Sequence, residues 1–230
     1  MKKIRPNDQR AKYALTLLWI VLMLEVIVLF SNYLQFDLLI NIQEGENYTM
    51  EELEANDLRV SLFFWIYLAS IVLTAVLFIR WFRRAYYNLH LNVRHLNQSE
   101  GWAAGAWFVP IINLYRPFQI MKELYSETTS LLKRNFGKEV YLPVAWVGSW
   151  WALWIISGLL GRISMQFLKK ENTVENLISS TEVDMAINLI GIPLALVAIR
   201  VVKKYSEAEQ IMYNLINEEQ KNPKSTEVGL

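Results

Sequence analysis

Apolar residues in this chain gather into long blocks instead of alternating with polar ones. Four blocks reach the roughly 20 residues that a helix rising about 1.5 Å per residue needs to cross a hydrocarbon layer about 30 Å thick: Ala14 to Phe36, Leu58 to Ile79, Tyr141 to Ile163 and Val183 to Val202. A fifth block, Gly101 to Tyr115, is too short, since about 15 residues at that rise cover only about two-thirds of the layer. Pro110 would also interrupt a helix there by removing a hydrogen bond and clashing with the preceding turn. A broken backbone at membrane depth is tolerated only where protein or water satisfies the freed groups. The expectation is therefore a short re-entrant or interfacial hairpin over about 101–116, with Trp102, Trp107, Pro110 and Pro117 as its structural residues. The competing reading makes Trp102 to Met121 a fifth crossing and carries Lys122, Lys133, Arg134, Lys138 and the C-terminus to the other side. Gly101 and Gly105 form a Gly-x-x-x-Gly, read as a site of tight packing.

Two further stretches carry an apolar face at three- and four-residue spacing. Pro117 suits a first helical position, and Phe118, Met121, Leu124, Tyr125, Thr128, Leu131 and Leu132 follow on one face, with Gly137 as the stop. The tail from Lys203 to Glu219 sets Tyr205, Ala208, Ile211, Met212, Leu215 and Ile216 against Glu207, Glu209, Glu218 and Glu219. The fold class expected is all-α integral membrane: a four-transmembrane-helix bundle with the hairpin and cytosolic amphipathic helices over about 117–136 and 203–219. Residues 1–216 read as one integral membrane domain without internal repeat, and 217–230 as a flexible C-terminal tail.

Charge placement orients the bundle, because short basic loops stay cytoplasmic. The N-terminus carries Lys2, Lys3, Arg5, Arg10 and Lys12. The connection from Asp37 to Asp57 holds Asp37, Glu44, Glu46, Glu51, Glu52, Glu54 and Asp57 with no Lys or Arg. The next, Arg80 to Glu139, is basic, and its first part to Leu96 mixes aromatic and arginine residues as the headgroup layer favours. Arg200, Lys203 and Lys204 close the last span. Both termini are expected inside a bacterial cytoplasmic membrane, with the first apolar block retained as a helix because it is long and has no small-x-small cleavage site. Composition agrees: 53% hydrophobic, 20% charged, nine Trp and a net charge of +1. The absence of cysteine excludes disulfides, thiolate-ligated haem and iron–sulfur clusters. Asn47-Tyr48-Thr49 spells a glycosylation sequon, but Thr49 with Glu52 also spells a capping box at a helix start.

The central stretch is also specific in its residues. Trp81-Phe82-Arg83-Arg84-Ala85-Tyr86-Tyr87-Asn88-Leu89 closes one span, and Gly101-Trp102-Ala103 leads to Trp107-Phe108-Val109-Pro110-Ile111-Ile112-Asn113-Leu114-Tyr115-Arg116-Pro117 and Glu123-Leu124. This pattern resembles the core of a bacterial membrane family catalogued as domain of unknown function 4328. The likeness covers roughly Leu58 to Val202, and it implies a multi-pass bacterial membrane protein of unestablished activity.

Candidate chemistry is sparse. Glu25 is the ionisable side chain well inside a predicted span, and an ionised carboxylate there costs on the order of 3 kcal/mol on insertion scales. Matched depth puts it level with Tyr67 and Ser70 on the second span and with Ser149, Trp151 or Trp154 on the third. It is either hydrogen-bonded to one of these or a proton- or cation-binding carboxylate. Asp184 and Asn188 read as too near the outer end to relay to it without water. A second set, Arg83, Arg84, Asn88, Asn113 and Arg116, is expected near the inner headgroups, where guanidinium forks could hold a lipid phosphate or simply anchor the bundle. Arg116 could instead pair with Glu123. Trp146, Trp150 and Trp154, with Trp151 alongside, read as packing or as a flat apolar ligand site. Gly191 and Pro193 mark the fourth span for a kink.

Enzyme readings find no support: there is no Gly-x-Ser-x-Gly, phosphate loop or His-Glu-x-x-His. His90 and His95, five apart, do not share a helix face as metal ligands would. Basic residues interleaved with aromatics at headgroup level in a near-neutral chain also argue against nucleic acid. The reading is a protein without catalysis, cofactor or metal: a scaffold or a lipid- or partner-binding subunit using its cytoplasmic face. Its partners would be membrane lipids, a second copy or another membrane protein. The alternative is a small transporter or channel working through Glu25.

Overall fold

The computed structural model describes residues 1–167 and 169–221. It is helical throughout: α1 (Asp8–Gln43), α2 (Met50–His90), α3 (Trp102–Gly105), a single 3-10 turn (Ile111–Leu114), α4 (Arg116–Phe136), α5 (Ala145–Phe167) and α6 (Val174–Lys221). No strand occurs among the described residues. By length and composition, α1, α2 and α6 are apolar enough to cross a membrane. The third expected span, Tyr141 to Ile163, falls short of that measure. Its helix, α5, begins four residues later than the apolar block, after Pro143, and interleaves Trp146, Trp150, Trp151 and Trp154 with Gly148, Gly158 and Gly161.

Helix ends follow local chemistry. Thr49 and Glu52 do form a capping box at the start of α2: the Glu52 carboxylate accepts the Thr49 N–H at 2.8 Å and the Thr49 hydroxyl accepts the Glu52 N–H at 3.2 Å. Pro117 sits in the first turn of α4, and Gly137, at φ 62°, ends the helix in a left-handed cap that a side chain would strain. The buried face of α4 includes Ile120 and the expected Met121, Leu124, Tyr125, Thr128, Leu131 and Leu132, while Phe118 is only half-buried. The expected tail helix is not separate, because α6 runs unbroken through Pro193 and Val202 to Lys221. Its last residues, Asn217 to Lys221, are helical where a flexible tail was expected, and 222–230 lie outside the described residues.

The segment 101–116 is not one helix: α3 is a single turn, Pro110 precedes the 3-10 turn, and α4 starts afresh at Arg116. The Gly-x-x-x-Gly does not mediate close packing. A Cβ on Gly101 would meet nothing, and one on Gly105 only the Trp102 ring at an ordinary 3.9 Å.

The chain divides into two compact units, neither contiguous in sequence. The first comprises Met1–Leu15, Val76–Gly148 and the chain from Arg200 onward. Its core is aromatic: Trp81, Phe82, Tyr86, Tyr125 and Tyr205 are essentially inaccessible, and burial of each such side chain is worth about 2–3 kcal/mol. The second comprises Thr16–Ala75 and Ser149–Ile199. There Met23, Phe30, Phe64, Trp65 and Leu73 are left exposed, as side chains facing lipid would be.

Candidate functional site

In the first unit an arginine cleft is assembled from three parts of the chain. Arg80, Arg83, Arg84 and Tyr87 recur at three- and four-residue spacing, which places them on one side of α2. Arg10 joins from the start of α1, and Arg5 from the non-helical segment before it. Together with Glu100 they line a cavity of about 280 Å³. The Arg5 guanidinium lies over the Tyr87 ring at 4.7 Å and that of Arg84 at 5.7 Å. The one ion pair is long, Arg83 Nη2 to Glu100 at 3.8 Å. Partial burial and the like charges of Arg10 and Arg5 lower the pKa of Arg84 from its ordinary value. Five cations thus converge against a single lining carboxylate.

Arg5 is held in place by its backbone. Asn88, fully buried on α2, accepts the Arg5 N–H at 3.0 Å through Oδ1 and donates Nδ2–H to the Arg5 carbonyl at 2.8 Å. One turn later Asn92 grips Lys2 in the same two-bond manner, at 2.8 and 2.9 Å. Ile4 between them is buried. The two amides therefore act as a short ladder for the first residues, which form a strap laid along the end of α2.

Beneath the strap lies Glu209 of α6, almost wholly inaccessible. It accepts Nδ2–H of Asn88 at 2.7 Å and Nδ2–H of Asn7 at 2.8 Å. Burial pushes its carboxyl up to about 7, while those two donors and the Arg84 charge act in the opposite direction. The sequence reading put Glu209 on the polar face of the tail; instead it shares the inward face with Tyr205, Met212 and Ile216.

The second unit holds the polar group built around Glu25. Glu25 is buried and accepts the Tyr67 hydroxyl at 2.7 Å and Nδ2–H of Asn188 at 2.8 Å. Asn188 in turn accepts Nδ2–H of Asn32 at 3.0 Å, and Gln35 donates to Thr181 at 3.1 Å. A Cβ on Gly191 would fall on the Glu25 carboxyl group. Gly191 is therefore where α6 admits Glu25. Ser70 does not join Glu25; its backbone carbonyl accepts the Thr74 hydroxyl at 2.7 Å. Asn188, read as too distant, is a direct partner.

A family profile described as Domain of unknown function (DUF4328) matches residues 44–207. The chain belongs to this family. No curated protein and no solved structure matches it. The DUF4328 match takes in Arg80, Arg83, Arg84, Tyr87, Asn88 and Glu100, but Arg5, Asn7, Arg10 and Glu209 lie outside it. Likewise it includes Tyr67, Asn188 and Gly191 but not Glu25.

Only part of the expected phosphate-binding set comes together. Arg83 and Arg84 enter the cleft. Asn88 does not, because its amide is consumed by Arg5 and Glu209. Asn113 donates to the Trp107 carbonyl at 3.4 Å. The Arg116 guanidinium lies over the Trp102 ring at 4.0 Å, and Pro117 follows it in the first turn of α4. Nor does Arg116 pair with Glu123, which accepts the Tyr86 hydroxyl at 2.6 Å and the Asn97 N–H at 2.9 Å. Of the tryptophans, Trp151 and Trp154 stack at 4.6 Å with Trp150 edge-on, whereas Trp146 carries the Arg200 guanidinium at 4.2 Å. Arg5, Arg10 and Arg80 escaped the sequence reading as site residues. The only signal for them was their place just before the first span and just after the second.

Proposed function

We propose that this DUF4328 protein is a four-span protein of the bacterial cytoplasmic membrane, with termini inside and 101–116 as an interfacial hairpin, and that it binds an anionic lipid headgroup without catalysing a reaction on it. The observation that carries the reading is the convergence of five guanidiniums on one cleft with one lining carboxylate. Like charges so arranged repel, and an anion that accepts their forked N–H groups relieves the repulsion. Position supports the same reading. Arg10 precedes the first apolar block and Arg80 follows the second directly, so both fall where inner headgroups lie if the acidic connection Asp37 to Asp57 is outside.

Native mass spectrometry of the protein released in mild detergent tests this. Wild type should retain an anionic phospholipid, and the Arg80→Gln/Arg84→Gln variant should bind it about a hundredfold more weakly, as expected for two charge-assisted contacts of about 1.5 kcal/mol each. Arg134→Gln, at the exposed end of α4, serves as the folded control. Unchanged retention in the double variant would sink the reading.

A second reading, a small proton or cation carrier, has one observation in its favour. Glu25 receives two hydrogen bonds from neutral donors, Tyr67 and Asn188, and among the described residues it enters no ion pair.

A further inference from the structure

Resting on the headgroup reading above, we infer that the arginine cleft selects a group carrying two phosphates over one carrying a single phosphate. Three features point there. The first is donor number. Each guanidinium offers five N–H groups in a rigid fork that meets a phosphate in pairs. Two arginines in bidentate contact already occupy the non-bridging oxygens of one phosphodiester, yet Arg5, Arg10, Arg80, Arg83 and Arg84 all line this cavity. A single negative charge would leave most of their mutual repulsion in place. Two phosphates provide acceptors for the whole set.

The second feature is room. The cavity of about 280 Å³ corresponds to on the order of nine water molecules at about 30 Å³ each, more than one phosphate group fills. The third is rigidity. Tyr87 presents its ring to both Arg5 and Arg84, and Asn88 fixes the backbone of Arg5 by two bonds. An arginine on a segment outside any helix would otherwise swing freely. Here it is held at one wall of the cleft, and the geometry that holds it depends on its peptide group and not on its side chain. The strap is thus part of the site: it delivers a cation that α2 alone cannot supply.

This last point provides a clean variant. Arg5→Gln removes a guanidinium and leaves the Asn88 clamp intact. Purified full-length protein in detergent is titrated with phosphatidylglycerol, with diphosphatidylglycerol and with inorganic pyrophosphate, at equal total phosphate. The inference expects diphosphatidylglycerol to bind about tenfold tighter than phosphatidylglycerol, and Arg5→Gln to lose most of that preference while still binding, since one charge-assisted contact is worth about 1.5 kcal/mol or more. Equal affinity for the two lipids overturns the inference and leaves the headgroup reading standing. Binding of pyrophosphate with neither lipid supports the two-phosphate selectivity but assigns it to a soluble ligand, which overturns the headgroup reading. No binding of any of the three overturns both.

Discussion

Replacing Gly191 by Ala is expected to destabilise the protein by about 3 kcal/mol, a large effect for one methyl group, because that methyl would occupy the position of the Glu25 carboxyl. Forced aside, Glu25 would give up the Tyr67 and Asn188 bonds, leaving polar groups unpaired in a buried place at about 1–3 kcal/mol each. In a Glu25→Ala background the same change should be neutral or gain up to about 1 kcal/mol, since alanine is the better helix former. Thermal unfolding of the four forms in detergent gives the coupling. Additive costs would mean that Gly191 does not make room for Glu25. The cycle also bears on the carrier reading: strong coupling shows Glu25 serving the packing of α1, α2 and α6, the role that needs no moving ion.

Asn88→Leu is the second large effect, at about 3–5 kcal/mol. The leucine nearly matches the volume, but the Arg5 N–H, the Arg5 carbonyl and one Glu209 oxygen each lose a buried partner. The strap should then detach, so that the Arg5 amide loses its protection from hydrogen exchange while the rest of the chain keeps its own. Asn92→Leu, at a partly exposed site, should cost about 1 kcal/mol and leave Arg5 protected. A protected N-terminus and an unchanged unfolding midpoint in Asn88→Leu would contradict the clamp.

Much of the helical layout was legible because it is local. Block length marked α1, α2 and α6; Thr49 with Glu52, Pro117 and Gly137 marked helix ends by chemistry within a few residues. The Tyr67 partner of Glu25 followed from matching depth across antiparallel neighbours. Asn188 was missed by the same method, since depth was counted from hydropathy boundaries while α6 continues far beyond them at both ends. Glu209 and Asn88 were misread for a different reason. Their spacing, Tyr205–Glu209–Met212 and Trp81–Ala85–Asn88, puts them on buried faces, but a polar side chain is assigned outward unless its partner is known. Those partners, Asn7 and Arg5, lie 202 and 83 residues away, and no local pattern records such a pairing. The cleft was half visible for the same reason: α2 shows its arginines by periodicity, and the strap that completes the site becomes apparent only when folded.

The most direct test of the account is photo-crosslinking in intact membranes with a phosphatidylglycerol analogue carrying a diazirine near its headgroup, followed by peptide mapping. The account expects adducts concentrated on peptides containing Arg5 to Arg10 and Arg80 to Tyr87, abolished in Arg80→Gln/Arg84→Gln. Adducts spread along the exposed apolar surfaces of α1 and α2, with none at those arginines, would contradict it.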